Sequence, residues 1–226
     1  MLEFYWAYAD YKDLMKLTEK MISQVIYKVF KSFKITFEGK EINFKAPWPR
    51  VEFTSFFYKT TGINLEEISD KALIKEAKLL GINIKGTSRV EVADEIFKKY
   101  CRPKIIQPTF LIHYPLGFQP LAKALEKNPK KLANFQLVAM GMELCNAFSE
   151  LNNSVEQKKR FKEQEKLFKE GSTEAQRMDK DFLEALEYGL PPAAGFGMGL
   201  DRLISLLTDS HALREVILFP VMKPKK

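Results

Sequence analysis

The chain has 226 residues, 46% of them hydrophobic and 29% charged, enough to bury a core of its own as one domain or as one domain carrying an insertion. No apolar run approaches the ~20 residues of a bilayer crossing, and the opening Met1-Leu-Glu-Phe-Tyr-Trp lacks the basic start of a secretion signal. The formal charge of +7 admits a polyanionic partner such as RNA without establishing one, because stretches such as residues 156–170 alternate acids with bases along a solvated helix face.

In chain order, Met1–Ala9 reads as an aromatic strand with Glu3 and Tyr5 on one face and Leu2, Phe4 and Trp6 on the other. A carboxylate beside a phenol could hold an ammonium group, though an ordinary half-exposed strand explains the same spacing. Asp10 is placed to cap a long helix whose predicted buried line is Leu14, Leu17, Met21, Val25 and Val29. Ile35–Phe44 reads as a hairpin turning at Gly39, and beyond Pro47 and Pro49 an extended Arg50–Phe53 leads into a short helix near Ser55. Residues 62–102 read as an inserted or satellite segment without evident chemistry, built of two amphipathic helices, Glu67–Leu80 and Thr87–Tyr100, around Gly81–Gly86. Ile105–Tyr114 reads as a buried strand in which Pro108 predicts an edge or a bulge. His113 closes it as a packed residue, since neither histidine has a Cys, Asp or Glu partner at ligand spacing. Cys101 and Cys145 likewise lack metal-ligand spacing and read as reduced packing residues of a cytosolic protein.

Two later stretches carry chemistry. In Ala133–Asn152 the spacing of Glu143, Asn146 and Glu150 would put all three on one face of a helix, whereas Phe135, Val138, Cys145 and Phe148 favour strands with a turn or bulge near Gly141. Periodicity leaves both readings open. After a helix at Ser154–Gly171 and another ended by Gly189 and two prolines, Gly195, Gly197 and Gly199 alternate with Phe196, Met198 and Leu200. Three glycines on one strand face predict a close approach by a ligand or another backbone. Asp201–Leu207 continues as a helix that fixes Arg202 in its first turn, where a guanidinium suits a phosphate chain.

Taken together, these stretches resemble the lysine-specific class II aminoacyl-tRNA synthetases. Gly197-Met-Gly-Leu-Asp-Arg202 with Arg214-Glu-Val-Ile-Leu-Phe-Pro220 resembles motif 3, Met1–Tyr11 resembles the end of motif 2, and Gln107-Pro-Thr-Phe, Tyr114-Pro and Pro120-Leu-Ala122 match in between. The resemblance runs from Met1 to Pro224 and is weakest across 62–102. Gln119 stands where the family has Ser, and Gln136 where it has a second metal-binding Glu.

The implied fold is α+β, an antiparallel sheet flanked by helices without its N-terminal part, spanning 1–226 with a helical insertion at about 62–102. The implied ligands are ATP, Mg²⁺, lysine and tRNA(Lys), with neither DNA nor membrane among the partners, a homodimer for the full-length enzyme and a cytoplasmic location. The resemblance implies that Glu3, Tyr5, Asn146 and Glu150 bind lysine and that Arg202, Gly197, Gly199 and Glu143 bind ATP. Arg202 is the catalytic group, and Glu143, Gln136 and Glu150 are the candidate metal ligands. Because the chain starts within motif 2, it is expected to be a fragment lacking motif 1, the α-phosphate arginine and the anticodon-binding domain, with an exposed sheet edge and a tendency to associate. A paralogue that uses lysyl-adenylate to modify a translation factor, and a non-catalytic synthetase-like binding module, are the alternatives.

Overall fold

In the computed structural model the described residues are 1–84, 88–172 and 175–221. Strand β1 (Leu2–Ala7) leads into α1 (Tyr11–Phe30), then β2 (Lys34–Phe37), β3 (Lys40–Asn43), β4 (Arg50–Glu52) and α2 (Phe53–Thr61). Next come α3 (Asp70–Leu79), α4 (Arg89–Ile96), β5 (Thr109–Ile112), β6 (Ala124–Leu125), β7 (Asn128–Leu132), β8 (Asn134–Ala139) and β9 (Met142–Ser149). The chain ends with α5 (Ser154–Lys169), α6 (Lys180–Tyr188), β10 (Ala193–Met198) and α7 (Leu200–Leu207). The main sheet has six strands in the order β1-β10-β9-β8-β5-β4, antiparallel except for the β4–β5 pair. The fold is α+β, as expected.

Local chemistry accounts for most boundaries. Asp10 starts α1 through a capping box, accepting from the Lys12 and Asp13 amides while Asp13 reaches back to the Asp10 amide. The β2–β3 hairpin turns on Glu38 and Gly39, both at positive φ (49° and 71°), the backbone of a two-residue primed turn. Three expected boundaries are corrected. The first insertion helix begins at Asp70, where Ser69 caps it, rather than at Glu67. The second begins at Arg89 behind a Ser88–Glu91 capping box and passes into a π-helical turn, Phe97–Cys101; Thr87 of the expected helix, and Lys85 and Gly86 of the separator before it, lie outside the described residues. The strand expected over Ile105–Tyr114 shrinks to Thr109–Ile112, an interior strand that starts just after Pro108, so the proline ends pairing instead of marking an edge.

The line of α1 expected to be buried is also corrected. Val25 and Val29 are 44% and 65% exposed, and the buried residues run through Leu14, Met15, Thr18, Ile22 and Ile26. The buried residues 14, 18, 22 and 26 also step by four, but Leu17 follows Leu14 by three residues, so the line through 17, 21, 25 and 29 lies ~60° further round the helix, from the edge of the core at Leu17 and Met21 out to solvent.

One core lies between the sheet and α1, with the β2–β3 hairpin and α7 closing it; it holds Leu14, Ile22, Phe110, Phe135, Ala147 and Phe196. A second core covers the opposite face, where Phe53, Phe57, Leu73, Ile96 and Phe97 meet Leu111, Tyr114 and Val138. The 62–102 segment therefore packs onto the sheet rather than standing apart. Both cysteines are buried and free. The described helices include none long and apolar enough to cross a membrane.

Candidate active site

In a regular strand Glu143 and Asn146, three residues apart, would face opposite sides of the sheet. The register between β8 and β9 shifts at that point: Leu137 pairs with Cys145, but Val138 pairs with Glu143, leaving Leu144 as an extra residue. Leu144 and Cys145 both enter the core beneath α1, and the parity is reset. Glu143, Asn146, Phe148 and Glu150 consequently line one cavity on the opposite face. The stretch is a strand, and of the expected turn or bulge near Gly141 it is the bulge, at Leu144, that changes the facing. The bulge region also ties down α7. The Leu144 carbonyl accepts from the Gly199 amide at 3.0 Å, and the Glu143 carbonyl accepts from Arg202 Nη1 at 2.9 Å.

Two transverse rows cross the sheet beside the cavity. Glu3, Gly197, Asn146 and Gln136 form one; Tyr5, Gly195, Phe148 and Asn134 form the next. A side chain at Gly195 would strike the Glu150 carboxylate and come within 3.2 Å of the Tyr5 ring. At Gly197 it would meet nothing nearer than the Asn146 carbonyl oxygen at 3.9 Å, and at Gly199 it would press on the Arg202 methylenes at 3.3 Å. The bare face thus serves three neighbours: a carboxylate at Gly195, open space at Gly197 and the arginine stem at Gly199.

The cavity encloses about 540 Å³. Glu3, Tyr5, Asn146 and Glu150 line it, together with Glu143, Gly197, Gly199 and Arg202. Gln136 does not. Its amide oxygen accepts from the Tyr114 hydroxyl at 2.6 Å, so the oxygen offered as a metal ligand is already engaged. Along the extended backbone of β9, Glu150 lies seven residues, roughly 20 Å, from Glu143, so the two carboxylates belong to different parts of the cavity. No cluster of three His, Cys, Asp or Glu among the described residues could hold a metal ion by itself.

The two carboxylates have different electrostatics. Burial pushes the Glu150 carboxyl up to about 7, and no cation or donor meets it among the described residues. Burial also raises Glu143, against the opposing pull of the Arg202 and Arg102 guanidinium groups. A cavity with an unpaired carboxylate at one end and an exposed arginine at the other suits an elongated ligand, cationic at one tip and anionic at the other.

Sequence reading missed Asn134 and how the polar residues behind this wall are joined. Asn134, Gln119 and Asn146 are hydrogen-bonded in series, at 2.8 and 2.7 Å. His113 does have a carboxylate partner: Nδ1 lies 2.5 Å from Glu52, and Nε2 lies 2.7 Å from the Tyr11 hydroxyl. These partners are 61 and 102 residues away, and no local spacing marks them.

The family model of class II tRNA synthetases (D, K and N) matches residues 1–223. The chain is similar to a lysine–tRNA ligase of Carboxydothermus hydrogenoformans, 43% identical over 227 residues, covering 100% of this chain and 46% of the relative. It is also similar to lysine–tRNA ligases of Thermotoga maritima, 43% identical with 100% and 45% covered, and of Syntrophomonas wolfei, 44% identical with 100% and 46% covered. The chain spans about half the length of these curated relatives. With its bulged strand, glycine-faced neighbour and anchored arginine matched along almost its whole length, the chain belongs to the class II tRNA synthetases of the D, K and N group.

Proposed function

We propose that this chain is catalytic-domain sequence of a lysine–tRNA ligase, which joins lysine to AMP at the expense of ATP and passes the lysyl group to tRNA(Lys). The observation that carries the reading is the Glu150 carboxylate, lodged over Gly195 with no cation beside it among the described residues. A lysine ε-ammonium would pair with it, and an analogue lacking the ammonium would leave a half-buried carboxylate unpaired, which gives strong discrimination. Glu3, Tyr5 and Asn146 line the same cavity and are assigned to the rest of the amino acid. Arg202, fixed through the Glu143 carbonyl, is assigned to the ATP polyphosphate, with Gly197 and Gly199 leaving room beside it.

In the first step the lysine carboxylate attacks the α-phosphorus, a carboxylate–phosphate anhydride forms and pyrophosphate leaves. In the second the terminal ribose hydroxyl of tRNA takes the lysyl group and AMP leaves. Neither step needs a protein nucleophile; the chain's own part is to orient the reactants and offset charge. The residues fit one Mg²⁺, because a single carboxylate plus phosphate oxygens and water is an ordinary Mg²⁺ shell. Glu143 would hold the ion, which supplies charge neutralisation on the phosphates. The reading assigns 1–226 to one catalytic domain with a helical insertion at about 62–102, in a cytoplasmic protein that is a homodimer when full-length.

Lysine-dependent ATP–pyrophosphate exchange by the purified chain tests the reading. Exchange should fall at least a hundredfold in Glu150→Gln and in Arg202→Ala, as expected for losing a charge-assisted contact. Exchange that persists in both variants, or that does not depend on lysine, would overturn it.

A further inference from the structure

Beside the cavity runs a series of side-chain amides whose polarity is set from one end. The Tyr114 backbone amide can only donate, and it lies 3.0 Å from Asn134 Oδ1. That turns Asn134 Nδ2 toward Gln119 Oε1 at 2.8 Å, which in turn directs Gln119 Nε2 onto Asn146 Oδ1 at 2.7 Å. Each amide has one acceptor side and one donor side, so a donor-only anchor fixes every orientation down the line. Asn134 is fully buried and cannot exchange its partners for water. Asn146 is the last amide in the series and lines the cavity. With its oxygen occupied, it presents N–H groups to whatever binds there.

We propose that Gln119 and Asn134 are positioning residues that fix Asn146 as a hydrogen-bond donor toward the cavity, so that the group it meets is an anionic oxygen. Asn146 shares its row with Gly197, while the Glu150 carboxylate lies over Gly195, two strand residues away or about 7 Å. That interval matches the reach of a lysine side chain from ammonium to carboxylate. The matching oxygen belongs either to the lysine carboxylate or to a phosphoryl group of ATP. The ligand's identity rests on the proposed ligase reading; the polarity of Asn146 does not.

Gln119→Glu tests this with almost no change of shape. A carboxylate still accepts from Asn134 but can no longer donate to Asn146, whose amide must turn over and present oxygen to the cavity. In the ligand-free chain, NMR of side-chain amides should show the Asn146 NH₂ exchanging with solvent in the parent and protected in Gln119→Glu. An Asn146 NH₂ already protected in the parent, or unchanged by the substitution, would overturn the proposal. Calorimetry with L-lysine and, separately, a non-hydrolysable ATP analogue identifies the oxygen: the partner should bind about ten- to a hundredfold more weakly to Gln119→Glu. Gln119→Met, which forces no reversal, should cost less. Weaker binding without the change in amide protection would be an effect of the added charge alone and would count against the relay. If the parent bound neither ligand, the ligase reading would fail for this chain, while amide exchange would still decide the polarity of Asn146.

Discussion

Glu150 owes its properties to a neighbour that has no side chain. Gly195 lets the carboxylate lie against the strand, where burial raises it from its ordinary 4.5 to about 7. Folding therefore favours the protonated acid: its contribution to stability is complete below about pH 4.5 and is lost as pH rises through about 7. Glu150→Gln should leave stability unchanged at pH 4 and raise it at pH 8 by ~2 kcal/mol, a figure discounted for water reaching the carboxylate from the open cavity. Urea denaturation at both pH values measures this, and equal stability of parent and variant at pH 8 would contradict it. On the proposed ligase reading lysine would pair with the ionised form, so its affinity should fall about tenfold per pH unit below 7 and level off above it. Gly195→Ala should abolish lysine binding while costing little stability, because the intruding methyl displaces the far end of a flexible side chain. Calorimetry with lysine settles that case.

At the scale of elements, the site depends on how β8 and β9 are joined. Met140 and Gly141 turn the chain at positive φ (49° and 68°), and their amides donate to the Ile106 and Ile105 carbonyls at 3.0 and 2.9 Å. A Cβ on Gly141 would sit 3.2 Å from Pro103 Cα, a backbone atom with no freedom to yield. Gly141→Ala should thus cost about 1–3 kcal/mol by denaturant unfolding, with loss of activity because the bulge that aims Glu143 follows the turn. A cost below a few tenths of a kcal/mol would show that the clamp carries no strain. This turn was legible in sequence because glycine marks it. A bulge near it was expected too, but its position at Leu144 was not legible, because the extra residue is an ordinary leucine whose meaning lies in the partner strand's register.

Across the whole molecule, the two edges of the sheet differ. β4 is a three-residue edge carrying Arg50 and Glu52, short and charged in the manner that discourages pairing. Among the described residues β1, six residues long, pairs only with β10, with Tyr5 75% and Trp6 44% exposed. Such an edge is a template for another strand. Sedimentation velocity on the purified chain should show concentration-dependent association that Trp6→Lys weakens. A parent that stays monomeric at high concentration would remove β1 from consideration as an association surface.

The sequence by itself determined where the chemistry lies, because caps, turns, glycine periodicity and the family's short motifs are all local in the chain. It placed Glu3, Tyr5, Asn146, Glu150, Glu143 and Arg202 among the site candidates, and the structure brings all six to one cavity. The tertiary structure alone decided how those residues face and what supports them. The facing of Glu143 depends on one unpaired residue in β9; the engaged oxygen of Gln136 depends on Tyr114; the donor face of Asn146 depends on a backbone amide two side chains away. The last two are contacts between segments 15 or more residues apart, and the first is a register fixed only when β8 and β9 pair, so none of them leaves a periodic trace in the chain.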